Sequence, residues 1–306
     1  MNRIGIVVVA YNSEREIGRC LDSVPAGLET VVVDNASGDG TCREVAARPA
    51  VRLIANPWNR GFAAAANQGI GALDCELALL LNPDVELVSG LDALVSQLSH
   101  AGVGAAGGKL LGDNGQWQAG FMVRRLPTPL TLAFETLGLN RLWPGNPVNR
   151  RYRCFDLDPD AEASVEQPPG AFLMIRRDVW RQLGGFDECF YPVWFEDVDF
   201  ARRLAEAGYT VRYSPSTVAK HSGGHSVNQL PRPTRDLHWY GSLLVYAGKH
   251  FARGGRLLVC ASVVVGSVVR MVLALSRERP LEAFHSCARI MRLAGARFLS
   301  GRSKVS

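Results

Sequence analysis

The chain has 306 residues, 47% of them hydrophobic, so it can bury a sizeable core as one large domain or as one domain with an appendage. Its seven cysteines, Cys20, Cys42, Cys75, Cys154, Cys189, Cys260 and Cys287, have no CxxC spacing, which excludes a cysteine zinc cluster and points to a reducing compartment. The formal charge of +5 divides into +9 from Gly248 onward and −4 before it, and the basic part carries no motif that would read nucleic-acid bases.

No basic leader with an apolar stretch precedes the first hydrophobic run, so a cytoplasmic location is expected. That run, Ile6 to Ala10, predicts a strand. Ser13, with Glu16 as capping-box partner, predicts a helix through Cys20 and Leu21. Thr30 to Val33 is a second strand, Thr41 opens a second helix, and Val51 to Ile54 is a third strand. An Ala-rich helix runs from Phe62 to Leu73, and Leu77 to Leu81 is again a strand. Continuous aliphatic and β-branched runs of this length fit strands buried on both faces of a parallel sheet. Leu91 to Leu98 predicts a helix and Gly102 to Leu111 a strand. From Phe121 to Glu166 the chain is rich in Pro, Asn and Arg with weak periodicity, which predicts a long mobile or acceptor-facing insertion. Order returns with a strand over Pro169 to Ile175, a helix over Arg177 to Leu183 ended by Gly184-Gly185, and a strand-like Tyr209 to Val218. The tail is basic and apolar. Its uncharged run, Leu257 to Val269, falls short of the roughly 20 apolar residues of a transmembrane helix. A helix in the headgroup region of an anionic membrane is expected there, with packing on the preceding domain or on a second subunit as the alternative.

Three of the apolar runs end at small polar clusters: Tyr11-Asn12, Asp34 to Gly40, and Asn82-Pro83-Asp84. In an open α/β sheet such strand ends converge on one crevice, where ligands bind. The first turn, Ala10-Tyr11-Asn12-Ser13, is not GxGxxG, and a Walker A lysine is missing, which excludes two nucleotide-binding modes. Tyr11 can stack on a base and Asp34 can accept from a ring N–H, which suits a pyrimidine; a packed aromatic and a turn residue are the plain alternatives. A calcium loop is excluded because Ala36 stands where an oxygen ligand is required. Asp84 can reach a metal held against a diphosphate, since Mg or Mn needs only one or two carboxylates there, although Asn-Pro-Asp also reads as a turn. Downstream, Phe195-Glu196-Asp197-Val198-Asp199-Phe200 sets acids among aromatics, where a carboxylate can be tuned as a base. Asp197 stands at a helix start, and Asp199 and Arg203 are spaced to pair; helix caps are the plain alternative.

Together, Val8-Val9-Ala10-Tyr11-Asn12, Val33 to Thr41, Asn59-Arg60-Gly61-Phe62, Leu81-Asn82-Pro83-Asp84 and Phe195 to Asp199 resemble the family 2 inverting glycosyltransferases of GT-A fold, and more narrowly their rhamnosyltransferase-like branch. The match runs in order from about residue 4 to residue 226. The resemblance implies an α/β GT-A fold: a Rossmann-like, mostly parallel central sheet flanked by helices, with a C-terminal helical basic and apolar extension. The expected division is a GT-A domain over 1–247, with its nucleotide-binding part to about 110 and its acceptor and catalytic part to 247, followed by the tail over 248–306. By the same resemblance, Tyr11, Asp34 and Asn35 hold the base and ribose, and Arg60 and Gly61 approach the diphosphate, with Asn12, Ser37 and Asn59 in the same nucleotide site. Asn82 and Asp84 correspond to the family's DxD metal motif. Asn82 departs from it but still offers a carbonyl oxygen. His221 matches a late metal-ligand histidine, with His225 the weaker candidate. Asp197 is the implied base, and Glu196, Asp199, Arg203 and Gly170 support it or face the acceptor.

The implied reaction is a single in-line displacement that inverts the anomeric carbon, with Mg or Mn stabilising the leaving diphosphate. A glycosidase needs a second carboxyl as acid, whereas a diphosphate leaving group does not. The branch implies dTDP-L-rhamnose as donor; UDP-galactofuranose or another UDP- or dTDP-hexose stays open. The tail implies a polyprenyl-diphosphate saccharide acceptor at the anionic inner face of the cell membrane, and a homodimer stays open. A non-catalytic nucleotide-sugar-binding scaffold is the competing class, supported by Asn82 alone. A processive membrane synthase would need several long spans and a Gln-Arg-Trp type motif.

Overall fold

The computed structural model describes residues 4–223, 229–275 and 280–300; His225 lies outside the described residues. Strands β1 (Ile4–Ala10), β2 (Glu29–Asp34), β3 (Val51–Ala55) and β4 (Leu77–Leu81) pair in parallel in the order β3-β2-β1-β4. Ile6, Val8, Val32, Leu79 and Leu81 enter one core, while Val7, Val9, Val31, Val33 and Leu80 enter another on the opposite sheet face. Both faces are covered, so these runs show no polar alternation. The register sets Ala10 beside Asp34 and Asp34 beside Ala55, and the chain leaves this edge through Tyr11, Asn35 and Asn56.

Helices α1 (Ile17–Asp22), α2 (Thr41–Ala46) and α3 (Phe62–Ala72) connect these strands. Helix α1 starts about one turn later than the expected cap at Ser13. Ser13 heads a turn in which its carbonyl accepts from the Glu16 and Ile17 amides, and its own amide donates to Thr41 Oγ1 at 2.8 Å. It ties the first loop to α2, and Glu16 takes the N-cap position instead.

Beyond β4 the sheet is mixed. After β5 (Val85–Leu87) and α4 (Asp92–Leu98) come β6 (Val103–Leu111), β7 (Ala163–Val165), β8 (Phe172–Arg176) and β9 (Thr210–His221). Strand β8 lies antiparallel between β4 and β6; β9 runs parallel to β6 and antiparallel to β5 and β7. The parallel expectation therefore holds for β1 to β4, and beyond them parallel and antiparallel pairs are mixed.

The stretch expected to be a mobile insertion is folded. It contains α5 (Pro129–Thr136), α6 (Leu139–Leu142) and α7 (Pro147–Tyr152). Two of its prolines open helices: Thr128 caps the Thr131 amide ahead of Pro129, and Asn146 caps the Asn149 amide ahead of Pro147. Proline is preorganised for that first helical position. After β8 come α8 (Arg177–Gln182) and α9 (Glu196–Glu206).

The C-terminal part is α10 (Arg232–His250), α11 (Arg253–Ala274) and α12 (Pro280–Ser300). The boundary expected at 247/248 falls inside α10. Phe190, Phe195 and Val198 share a core with Tyr246, Val259, Val263 and Ile290, so the tail helices pack on the domain that precedes them. Gly266 of α11 lies against the Thr136 carbonyl, where a Cβ would collide with backbone. Helix α11 is long and apolar enough to cross a membrane by length and composition alone. Its buried face combines Val259 and Val263 with Ser262, Gly266 and Ser267, while Leu258, Val265, Val268, Val269 and Val272 are exposed.

Candidate active site

A cavity of about 1010 Å³ opens at the strand ends of β1, β2 and β4 and extends towards α5, α7 and α9. Tyr11, Asn35, Asn59, Asn82, Asp84, Gly170, Glu196, Asp197 and His221 line it, so one space joins the first eighty-odd residues to the second half of the chain.

At the end formed by β1 and β2, the remaining expected residues build the wall from behind. Asp34 is 2% exposed, and its carboxylate accepts from the Ser37 amide and hydroxyl. Ser37 Oγ in turn accepts from the Asn12 amide at 2.8 Å, and Asn12 Oδ1 accepts from the Gly38 amide. Asp34 thus braces the loop beside Tyr11. Asn35 joins the second loop to the third: its Nδ2 donates to Asn59 Oδ1 and the Gly61 carbonyl, and its Oδ1 accepts from the Arg60 amide at 2.9 Å. Arg60 is exposed, and Gly61 takes φ 82° at the entry to α3, a left-handed geometry that favours glycine.

Asp197 stands at the opposite wall, in the first turn of α9. Trp194 and Phe195 before it both have left-handed backbone, with φ 78° and 71°, a costly conformation for aromatic residues that is held by the surrounding core. Asp197 Oδ2 accepts from the Gly170 amide at 3.0 Å and from Gln167 Nε2 at 3.2 Å, and Oδ1 accepts from the Val198 amide. Glu196 is 5% exposed, and its Oε2 has no protein partner. Burial first, and then the charge of Asp197, push its pKa well above the ordinary carboxylate range.

Asp199 points away from the cavity and is fully buried. It accepts from Arg203 Nε, Lys249 Nζ and His250 Nε2, each at 2.7 Å. Burial opposes its charge, but the hydrogen bonds from His250, Lys249 and Arg203 outweigh that and hold its pKa below the ordinary range. Arg203 also donates to the Leu183 and Gly185 carbonyls. The Asp199–Arg203 pair therefore fastens α9 to α10 and to the turn after α8.

At the third wall, His221 Nε2 lies 3.7 Å from Asp84 Oδ1, and both side chains are 6% exposed. Gln118 Nε2 donates to the His221 carbonyl at 2.8 Å, which leaves Gln118 Oε1 as the atom 2.9 Å from His221 Nδ1. An amide oxygen only accepts, so Nδ1 carries the proton and Nε2 is the basic nitrogen facing Asp84. Phe121 stacks on the imidazole with centroids 5.1 Å apart and planes at 14°. A separation of 3.7 Å is less than twice a metal–ligand bond of about 2.1 Å, so Asp84 and His221 can share one divalent ion. The proton on Nδ1, held by an outer acceptor, is the usual arrangement of a ligating histidine. Asn82 lines the same corner. Among the described residues no cluster of three or more His, Cys, Asp or Glu side chains exists, so any ion held here would complete its shell with ligand oxygens.

A family model, glycosyl transferase family 2, matches residues 5–160, and a second, glycosyl transferase family group 2, matches 163–285. The chain is 31% identical over 264 residues to the N-acetylglucosaminyl-diphospho-decaprenol L-rhamnosyltransferase of Mycobacterium tuberculosis, covering 80% of this chain and 84% of that protein. The chain belongs to glycosyl transferase family 2. Within that family the glycosyltransferase is rhamnosyltransferase-like. It also shares 26% identity with the low-salt glycan biosynthesis hexosyltransferase Agl10 of Haloferax volcanii, over 66% of this chain and 62% of that one. Among solved structures, the mannosyltransferase PcManGT from Pyrobaculum calidifontis, in complex with GDP-Man and Mn2+, superposes with a TM-score of 0.55 at 18% identity, covering 97% of this chain and 87% of that one. TarS 1–349 from S. aureus, in complex with UDP-GlcNAc, superposes at 0.51 and 14% identity over 97% and 91%. These likenesses show the GT-A fold.

Sequence reasoning missed several residues of the glycosyltransferase's cavity. Gln118, Phe121 and Arg124 lie at or near the start of the stretch expected to be mobile, and Gln167 precedes two prolines without any periodic signal. Behind the cavity, charge alone assigns Lys249 and His250 to the tail, whereas both bond Asp199 of α9. The Gly-rich run before Gln118 and the Arg-rich run after Phe121 are the signals that could have raised the first three.

Proposed function

We propose that the glycosyltransferase moves L-rhamnose from dTDP-L-rhamnose to a hydroxyl of a polyprenyl-diphosphate-linked saccharide, with inversion. The observation that carries this reading is the placement of Asp197, held by Gly170 and Gln167, in one cavity with the Asp84–His221 pair. Asp197, turned into the cavity, takes the proton of the attacking hydroxyl. Two hydrogen bonds to Oδ2 fix its orientation, so the attack geometry is set before the acceptor arrives. Tyr11 offers a stacking face to the base, and the Asp34–Ser37–Asn12 and Asn35–Asn59 networks keep the loops beneath the nucleotide rigid. Asp84 and His221, with Asn82 beside them, would hold Mg or Mn, which when bound offsets the charge of the leaving diphosphate.

The sugar and the acceptor class follow the mycobacterial rhamnosyltransferase, and the dTDP carrier follows the sequence resemblance. The exposed row Leu258, Val265, Val268, Val269 and Val272 on α11, in a helical segment that also exposes Arg253, Arg289 and Arg292, supports peripheral binding to the anionic cytoplasmic face of the cell membrane.

Calorimetric titration with dTDP-rhamnose, UDP-galactose, UDP-glucose and GDP-mannose, with Mn2+ or with chelator, tests the donor. Metal-dependent binding of dTDP-rhamnose alone supports the reading. Preference for a UDP-hexose keeps the reaction class and changes the sugar, and no binding of any donor favours the non-catalytic scaffold.

A further inference from the structure

Arg124 is a cation in the cavity wall that pairs with no carboxylate among the described residues. Its neighbours are already matched: Arg125 reaches Glu166 at 3.2 Å, and Arg153 reaches Glu135 at 3.7 Å. The Arg124 side chain is nonetheless fixed. Nε donates to the Gly120 carbonyl at 2.8 Å, and the guanidinium lies 5.4 Å from the centre of the Phe121 ring and 6.0 Å from that of Tyr152. Held by its Nε and by two aromatic rings, it keeps its terminal nitrogens for an incoming group, and a guanidinium fork is suited to phosphate oxygens.

Its position relates it to the base. The Arg124 amide donates to the Gln167 carbonyl at 2.9 Å and the Gln167 amide donates back at 3.1 Å, while the Gln167 side chain donates to Asp197. One residue therefore separates the cation from the base. Tyr152, the second ring beside Arg124, also lines a neighbouring groove of about 830 Å³ whose wall combines apolar Leu126, Leu130, Val148 and Phe251 with the cations Arg151 and Arg202. A ligand bound here meets, in sequence, a base, a cation and a trough with apolar walls and further cations. That order matches a saccharide hydroxyl, a phosphate on the same saccharide and a lipid chain.

We infer that Arg124 binds the phosphate of a lipid-linked saccharide acceptor, and that the lipid leaves through the groove between α5, α7 and the start of α11. This rests on the glycosyltransferase reading of the cavity and names the acceptor side of it. It also explains why an arginine is left without a carboxylate a single residue from a carboxylate base: its counter-charge arrives with the substrate.

The test compares full-length wild type with Arg124→Met, which keeps the aliphatic stem, and Arg124→Lys, which restores charge. Binding of a short-chain prenyl-diphosphate-linked N-acetylglucosamine and of a neutral alkyl N-acetylglucosaminide is measured by calorimetry, alongside transfer from the donor. Wild type should prefer the diphosphate ligand by about tenfold to a hundredfold, the size of a charge-assisted contact. Arg124→Met should erase that preference while donor affinity is preserved, and Arg124→Lys should restore part of the preference. A preference that survives in Arg124→Met overturns the proposal, as does a loss of donor affinity in place of acceptor affinity. The two readings fail separately: acceptor binding needs no turnover, so wild type that binds both substrates without transferring sugar would contradict the enzyme reading alone.

Discussion

The Gly170 amide donates to Asp197 Oδ2 at 3.0 Å, and a Cβ built on Gly170 would stand 3.2 Å from Asp197 Cβ. Glycine at this position lets the loop before β8 close against the Asp197 carboxylate. Gly170→Ala should push Asp197 by a few tenths of an ångström and lower kcat about tenfold, with donor affinity unchanged. Steady-state kinetics paired with donor calorimetry checks this; an equal loss in both would place Gly170 in the nucleotide site.

Gln118 sets which nitrogen of His221 faces Asp84. Replacing it with leucine frees the imidazole to change tautomer or turn, and Mn2+ affinity in the presence of nucleotide should fall by about tenfold to a hundredfold. Asp84→Asn should cost more, because it removes the carboxylate itself. Competition between Mn2+ and a chromophoric chelator reads both variants.

Glu196 is neutral when buried and ionised when unfolded over the range between its ordinary pKa, about 4.3, and its raised folded value. The folded state then holds one more proton, so stability is lost as pH rises across that range. Glu196→Gln removes this dependence. Its Tm should exceed that of wild type near neutral pH, and the gap should close as pH falls to about 4. Thermal unfolding as a function of pH would show an unchanging gap if Glu196 were ionised in the fold.

Asp199 joins α9 to α10 through Arg203, Lys249 and His250. Asp199→Asn removes the buried carboxylate that Arg203 and Lys249 share, leaving Asp187 as the remaining carboxylate partner of Lys249, and should cost about 3–5 kcal/mol in chemical denaturation. A cut before Gly248 would remove two of the three partners, so it would test stability rather than membrane binding. The membrane is better tested by Val268→Glu with Val272→Glu on the exposed face of α11, which should abolish sedimentation with anionic vesicles while leaving Tm within a few degrees.

Much of the first half was legible because strands buried on both faces leave continuous apolar runs, as Ile6 to Ala10 and Leu77 to Leu81 do, and polar residues mark where they end. Asp199 and Arg203 were legible as a helical pair, since four-residue spacing is local. The braces of the site were not. Gln118 meets His221 across 103 residues of chain and Gln167 meets Asp197 across 30, and nothing periodic announces either contact. Pro129 and Pro147 read as breakers because proline ends a helix it interrupts, yet each sits at a first helical position behind a capping side chain. The boundary at 247 followed charge, whereas Lys249 belongs to the buried network around Asp199.

The account turns on Asp197 as the base. Turnover of a lipid-linked acceptor by Asp197→Asn, measured beside donor binding by the same preparation, tests it most directly. The prediction is a fall in kcat of at least about a hundredfold with donor affinity preserved. Turnover near the wild-type rate would contradict it and move the base to another residue of the cavity.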